Sequence, residues 1–397
     1  MNAKKIWNRL HSLVIFRNLL EDPTISLFSN LLEALQTENT EKCVSCYCSF
    51  TASLYRGGAN FGDYVLERIL DDENFYIQKY ANGGTIDSLL SECLHSELNI
   101  LQRISTITSD EIKEKISYNE FLPSWHTAMP QDFTKIYTGY LEGLSTEGYG
   151  IFRKYHVFTL NRHKLFPVRH PDTISMDQLF AYKYERNCIF KNTIALLEGK
   201  PAANVLLYGD SGTGKSSTVK AVANVLAPRG LRLVEVKKNQ LREIPDLVEM
   251  LESSPLRFIL FIDDLSFTRD DDDFSALKAI LEGSVAARSG NIAVYATSNR
   301  RHLVRETFSD RDGDEIHAND TVQQLTSLSD RFGLTLTFSR PDKQQYLNIV
   351  RRLADLYGIT MQEDILFRKA EVFALERGGR SPRTAKQFLE QLQSDMT

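Results

Sequence analysis

Apolar residues in the first 165 positions recur at helical spacing. Ile6, Leu10, Leu13 and Val14 share one face, as do Ile86, Leu89, Leu90, Cys93 and Leu94, because residues three and four apart line one side of a 3.6-residue helix. The stretch from Glu41 to Tyr55 reads as a further buried helix. Gly57-Gly58, Gly83-Gly84 and the segment from Pro123 to Pro130 punctuate this region, as turn-forming residues do. Tyr137 to Phe158 is rich in aromatics and is expected to be partly extended. A long helical pattern follows from Met176 to Leu197. The rhythm then changes to short runs rich in β-branched and aromatic residues: Val205 to Tyr208, Leu231 to Val236, Phe258 to Ile262, Ile292 to Ala296 and Leu334 to Phe338. Continuous apolar runs alternating with helices predict a parallel sheet covered on both faces. Beyond Pro341 three helices are expected, Asp342 to Tyr357, Glu363 to Arg377 and one opened by Ser381-Pro382. There serine takes the capping position and proline the first helical one.

These rhythms divide the chain into a mainly helical N-terminal domain over 1–165 and a linker with lead-in helix over 166–203. A sheet-centred core over 204–340 and a helical segment over 341–397 complete it. The expected fold class is α/β, a five-stranded parallel sheet with a C-terminal helical lid, preceded by the mainly α-helical domain. Ligands of such sheets bind beyond the carboxyl ends of the strands.

Composition narrows the picture further. At 397 residues, 42% of them hydrophobic, the chain can bury at least two cores. A net charge of -5 gives no general basic field, so nucleic acid is not the default partner, although Lys237 and Lys238 leave an anionic one open. No apolar run approaches the 18 or so residues of a membrane span, and Leu13 to Phe16 is flanked by Arg9 and Arg17; a cytoplasmic protein without membrane contact is the expectation. Five cysteines, an odd number, read as reduced thiols rather than a disulfide framework. Cys43, Cys46 and Cys48 offer three thiolates but no paired Cys or His doublet, so they read as helix packing.

The chemistry begins at Gly209-Asp210-Ser211-Gly212-Thr213-Gly214-Lys215-Ser216, between an apolar run and a helical segment with Val219, Val222, Ala223 and Leu226 on one face. Its glycines let successive N–H groups point inward at phosphate oxygens, and the following helix presents its positive end to the same anion. By chance the pattern arises in about one chain in fifty to a hundred of this length. Lys215 then reaches the β- and γ-phosphates and the Ser216 hydroxyl holds Mg²⁺. Asp263 and Asp264 end the run Phe258 to Ile262 and read as a Walker B pair, Asp263 on Mg²⁺ and Asp264 polarising the attacking water. Asn299 follows the run Ile292 to Ala296, Arg331 precedes the fifth strand, and Arg383 lies in the first turn of the last helix.

Together these residues resemble the AAA+ class of P-loop ATPases over about residues 175 to 397. The stretches LLYGDSGTGKSS, RFILFIDDLSF, ALKAILEGS, YATSNRRHL, SLSDRFGL and GGRSPRTAKQF are similar to a bacterial AAA+ family named only as a domain of unknown function. The resemblance implies ATP and Mg²⁺ as cofactors. It implies Gly209 to Ser217 around the phosphates, Ser216 and Asp263 on the metal, Asp264 as base, Asn299 as sensor 1 and Arg383 as sensor 2 in the lid. Arg331 becomes an arginine finger inserted into a neighbouring subunit, which requires a homo-oligomer. Most members of the class carry Glu where Asp264 stands, and a shorter side chain sets the water less closely. Three roles therefore stay open: a remodelling or assembly ATPase recruiting a protein client through its N-terminal domain, a slowly hydrolysing switch or scaffold, and a loader in DNA replication or transposition. The acidic run Asp270 to Asp273 reads as a solvated loop. Val236 to Leu241 lacks the aromatic-hydrophobic-glycine loop of polypeptide-threading members.

Overall fold

The computed structural model describes residues 1–37, 39–127, 131–266, 272–281, 290–299 and 331–396. The chain forms two compact units, Met1–Lys154 and Tyr155–Thr397. The first is built from helices whose starts are capped in the expected way. Asp22, Asn39 and Asn60 each accept a backbone N–H at the head of the helices Pro23–Ala34, Thr40–Arg56 and Phe61–Asp71, satisfying donors that the helix itself leaves unpaired. Phe28, Phe50, Phe61 and Trp125 form its centre, with ring centroids 4.8 to 5.3 Å apart, the tilted and edge-on geometry that aromatic quadrupoles favour. Glu97 is buried, and its carboxylate accepts the N–H groups of Val14, Ile15 and Phe16 at 2.7 to 3.1 Å. Along Thr40–Arg56, Cys43 is buried, Cys46 half-buried and Cys48 exposed, and no cluster of three metal-ligating groups gathers among the described residues. No helix of the described residues is long and apolar enough to cross a membrane.

The second unit is built on a sheet of β1 (Val157–Asn161), β2 (Lys164–Pro167), β3 (Val205–Gly209), β4 (Leu231–Glu235), β5 (Arg257–Ile262), β6 (Ile292–Ser298) and β7 (Leu334–Phe338). Its order is β2-β1-β4-β5-β6-β3-β7, parallel except for β2. The expected five strands are present, and the β1–β2 hairpin makes seven. It leaves little trace in the sequence because its turn, Arg162-His163, takes φ of 48° and 59° without a glycine or asparagine, the residues that normally signal such a turn. These strands follow the division at Lys154, so the stretch from Tyr155 to 165 belongs to the sheet unit. Val205, Leu206 and Leu207 are wholly buried, each worth about 1.5–3 kcal/mol of burial, so both faces of β3 must be covered.

Helices α1 (Lys183–Leu197), α2 (Lys215–Leu226), α3 (Ile244–Glu252) and α4 (Asp272–Leu281) accompany the sheet, and α5 (Lys343–Leu356), α6 (Glu363–Glu376) and α7 (Pro382–Met396) follow it. The helical pattern from Met176 is broken. A 3-10 turn occupies Met176–Gln178, and α1 starts only after Tyr182, which sits at φ 58°. The Tyr182 hydroxyl donates to the Ser339 carbonyl at 2.5 Å and its ring lies 4.8 Å from that of Phe338, contacts that outweigh continued helix. Tyr346, Val350, Ala370 and Leu389 close a separate core among α5, α6 and α7. Arg380 grips Glu371 through two bonds of 2.8 and 2.7 Å and holds its carboxyl below the ordinary range. Of the acidic run, Asp270 and Asp271 lie outside the described residues, as do Ser329 and Asp330 beside Arg331.

Candidate functional site

The site grows from the carboxyl end of β3. Gly209 takes φ 140°, and a Cβ there would stand 2.2 Å from the Phe338 carbonyl oxygen on β7; only glycine fits. That same carbonyl accepts the Asp210 N–H at 3.1 Å. Gly212 and Gly214 follow at φ 79° and 92°, and the chain then enters α2 at Lys215. The loop therefore curls around the helix's positive end, the geometry that binds anions.

Lys215 is 6% exposed. Its Nζ donates to the carbonyls of Gly209 and Asp210, both at 2.8 Å, and to Asn299 Oδ1 at 3.0 Å. Burial pushes its pKa below the ordinary lysine value, with Asp210, Asp263 and Asp264 opposing and Arg383 adding to the drop.

Asp263 and Asp264 follow β5 directly. Asp263 Oδ1 accepts from Ser216 Oγ at 2.6 Å and from Thr297 Oγ1 at 2.5 Å. Asp264 sits at φ 54°, a left-handed conformation costing about 1–2 kcal/mol for a side-chain-bearing residue. The end of β6 holds it there. Thr297 Oγ1 accepts the Asp264 N–H at 2.9 Å, the Thr297 carbonyl accepts the Leu265 N–H at 2.7 Å, and Asn299 Nδ2 donates to Asp264 Oδ1 at 2.8 Å. Asn299 thus spans Lys215 and Asp264 with its two amide atoms. Thr297, which no sequence motif marks, links both carboxylate residues.

The start of α7 reaches the same point. The Arg383 N–H donates to the Gly212 carbonyl at 3.2 Å, and a Cβ on Gly212 would stand 3.1 to 3.5 Å from Ser381 and Arg383. Arg340 donates from its backbone to Asp210 Oδ2 at 3.0 Å and from Nη1 to the Gly378 carbonyl at 3.2 Å. A cavity of about 730 Å³ opens between these elements, within the range of small-molecule sites. Its lining is polar at Ser211 to Thr218, Asp263, Asp264, Asn299, Arg383 and Lys386, and apolar at Ile174, Leu179, Phe180, Ile349 and Leu353. The structure thus brings together Ser211 to Ser217, Asp263, Asp264, Asn299 and Arg383, with Gly209 and Asp210 forming the base of the loop. Arg331 is not among them. It precedes β7, whose Leu334 registers with Val205 and whose Phe338 registers with Gly209, so it stands beyond the opposite end of the sheet from the loop.

The donor set suits a hard cation and a polyphosphate. Ser216 and Asp263 offer oxygen ligands side by side, as Mg²⁺ prefers, and Lys215, Arg383 and the loop N–H groups offer positive charge. The apolar lining, missed in the sequence, carries no motif: residues 172–175 read as linker, Met176 onward as the start of a helix, and Asp342 to Tyr357 as another helix.

No curated protein matches the chain. Among solved structures it is similar to AMPPCP-bound DnaA from Aquifex aeolicus, at 13% identity over 56% of this chain and 67% of that one, with a TM-score of 0.37. It is also similar to the RuvB Holliday junction branch migration motor of Thermotoga maritima, at 16% identity over 55% and 72%, with a TM-score of 0.33. The model of one family, Protein of unknown function (DUF815), spans residues 153–396, and the chain belongs to that family.

Proposed function

We propose that the protein is an AAA+ type ATPase that binds Mg·ATP in this cavity and hydrolyses it to ADP and phosphate, coupling turnover to assembly or remodelling of a partner. One observation carries the reading: the Ser216 hydroxyl and the Asp263 carboxylate meet at 2.6 Å beside the buried Lys215 ammonium. Separated by 47 residues of sequence, they form a ready pair of oxygen ligands next to a phosphate-binding loop. Ser216 and Asp263 would hold Mg²⁺, which when bound neutralises charge on the phosphate oxygens. Lys215 and the loop N–H groups orient the triphosphate. Asp264 takes the proton of the attacking water as the bond to the leaving ADP oxygen breaks, and Asn299 orients that carboxylate through its 2.8 Å bond. Arg383 approaches from the lid, Arg331 acts on a neighbouring copy in a homo-oligomer, and residues 1–154 recruit the client.

The bond between Asn299 and Asp264 also favours a second reading, a slow switch. A short carboxylate already held by an amide is less free to polarise water than an unrestrained glutamate. Phosphate release by the wild type and by Asp264→Asn tests the base, alongside binding of a fluorescent ATP analogue. The variant should bind ATP, turn over at least a hundredfold more slowly, and retain the client on co-purification. Asp263→Asn should weaken Mg²⁺ dependence and binding together. Wild-type turnover by Asp264→Asn removes it from the role of base, and a wild-type chain that binds no nucleotide removes the whole reading.

A further inference from the structure

The segment from Asp172 to Tyr182 forms one wall of the cavity, through Thr173, Ile174, Leu179 and Phe180 among others. Its only regular structure is the 3-10 turn Met176–Gln178. Such a segment does not keep a binding shape unaided, since each loosely held residue retains about 1–2 kcal/mol of backbone entropy. Side chains from two helices hold it. Asn224, in α2, donates from Nδ2 to the carbonyls of Asp172 at 2.8 Å and Ile174 at 3.0 Å, while its Oδ1 lies 3.3 Å from His156 Nε2. Two carbonyl acceptors fix the orientation of the amide, so His156 donates from Nε2. Arg186, buried in α1, donates to the carbonyls of Leu179 and Tyr182.

Asn224 therefore has a double position. It lies on the helix whose first residue is Lys215, two and a half turns along, and it grips the cavity wall that Ile174, Leu179 and Phe180 make apolar. We propose that Asn224 is a positioning residue for the nucleoside half of the ligand: it ties residues 172–174 to the helix that holds the phosphates, so that base and triphosphate are received by one rigid frame. The inference rests on the nucleotide reading and adds to it a residue outside every motif. Without the Asn224 amide the carbonyls of Asp172 and Ile174 turn to water, the wall loosens, and ordering it again costs affinity on binding. Only ligands that use the wall suffer that cost.

Two probes separate the nucleoside from the phosphates, Mg·ATP and Mg·tripolyphosphate, the second lacking a nucleoside. Calorimetric titration of the full chain should give the wild type a clear preference for ATP. Asn224→Ala should lose about tenfold in ATP affinity, the scale of one to two net hydrogen bonds, and keep its tripolyphosphate affinity. Ile174→Asp, a half-buried wall position where folding is little at risk, should show the same selective loss. Equal loss of both ligands by Asn224→Ala marks a general weakening of α2 and overturns the proposal, as does no loss of either. A wild type that binds both probes equally overturns the wall's role alone. A wild type that binds neither overturns the nucleotide reading and this inference with it.

Discussion

Replacing Lys215 with alanine separates binding from folding. Its Nζ makes three bonds of 2.8 to 3.0 Å to uncharged oxygens, and among the described residues it forms no ion pair. Asp210, Asp263 and Asp264 offset the cost of burying its charge only in part. A hydrogen bond to a charged group contributes about 1.5–3 kcal/mol, so contacts to β- and γ-oxygens together are worth about 3–5 kcal/mol. In Kd that is on the order of 100- to 5,000-fold. Stability should move little. Removing a desolvated cation offsets the loss of its bonds to the Gly209 and Asp210 carbonyls. Because burial lowers the folded pKa of Lys215, its charged form destabilises the fold. That cost fades as pH rises from the folded value toward the ordinary 10.5, so the wild type should gain stability relative to Lys215→Ala over that window. The assays are equilibrium titration with a fluorescent ATP analogue and thermal melts with and without Mg·ATP. At ligand concentrations of about 100 Kd the wild type should gain about 2.7 kcal/mol and the variant almost nothing. A variant that keeps the wild-type Kd and ligand-dependent melting shift would falsify the assignment of Gly209 to Ser216 as the nucleotide site.

Gly209→Ala should destabilise by about 3 kcal/mol or more, since its Cβ strikes the Phe338 carbonyl at 2.2 Å, whereas Gly214→Ala, with open space around it, should cost only about 1–2 kcal/mol; equal midpoints in urea contradict the packing at β3–β7. A chain starting at Tyr155 should stay soluble and bind ATP. One starting at Pro167 loses β1, leaves the edge of β4 unpaired and should aggregate; equal behaviour on size exclusion places β1 outside the stable sheet. Arg331→Ala should bind ATP normally and turn over at least 10³-fold more slowly, and mixing it with Lys215→Ala subunits should restore activity, while absence of rescue argues for a monomeric switch.

What the sequence reveals about this chain follows from how local each signal is. The loop Gly209 to Ser216 and the Asp263-Asp264 pair are each contiguous in sequence, so their places at the ends of β3 and β5 are legible. Helices α5 and α7 announce themselves through Asp342 and Ser381, whose side chains do cap the first turns. The hairpin Val157–Pro167 is hidden because Arg162 and His163 adopt left-handed backbone angles without residues that advertise it. The wall at residues 172–182 is hidden because its shape is imposed from outside, by Asn224, Arg186 and the tilted packing of Tyr182 against Phe338. Thr297 is hidden for the same reason: its hydroxyl joins Asp263 to Asp264 across strands that no local pattern connects.

Strand β7 shows why the loop cannot be understood from its own residues. Its last carbonyl, at Phe338, both crowds Gly209 and accepts the Asp210 N–H. Two residues on, Arg340 binds the Asp210 carboxylate and the Gly378 carbonyl, and the chain returns at Arg383 to the Gly212 carbonyl. The turn of the loop, the end of β7 and the start of α7 are thus one bonded set, and a change in any of them reaches the others. The other end of β7 behaves differently. Four strand steps of about 3.3 Å each separate Leu334 from Phe338, about 13 Å in all, and Arg331 lies beyond Leu334. An arginine there cannot approach phosphates held by its own loop while the register of β3 with β7 is kept. If Arg331 serves hydrolysis, the phosphates it serves belong to another copy.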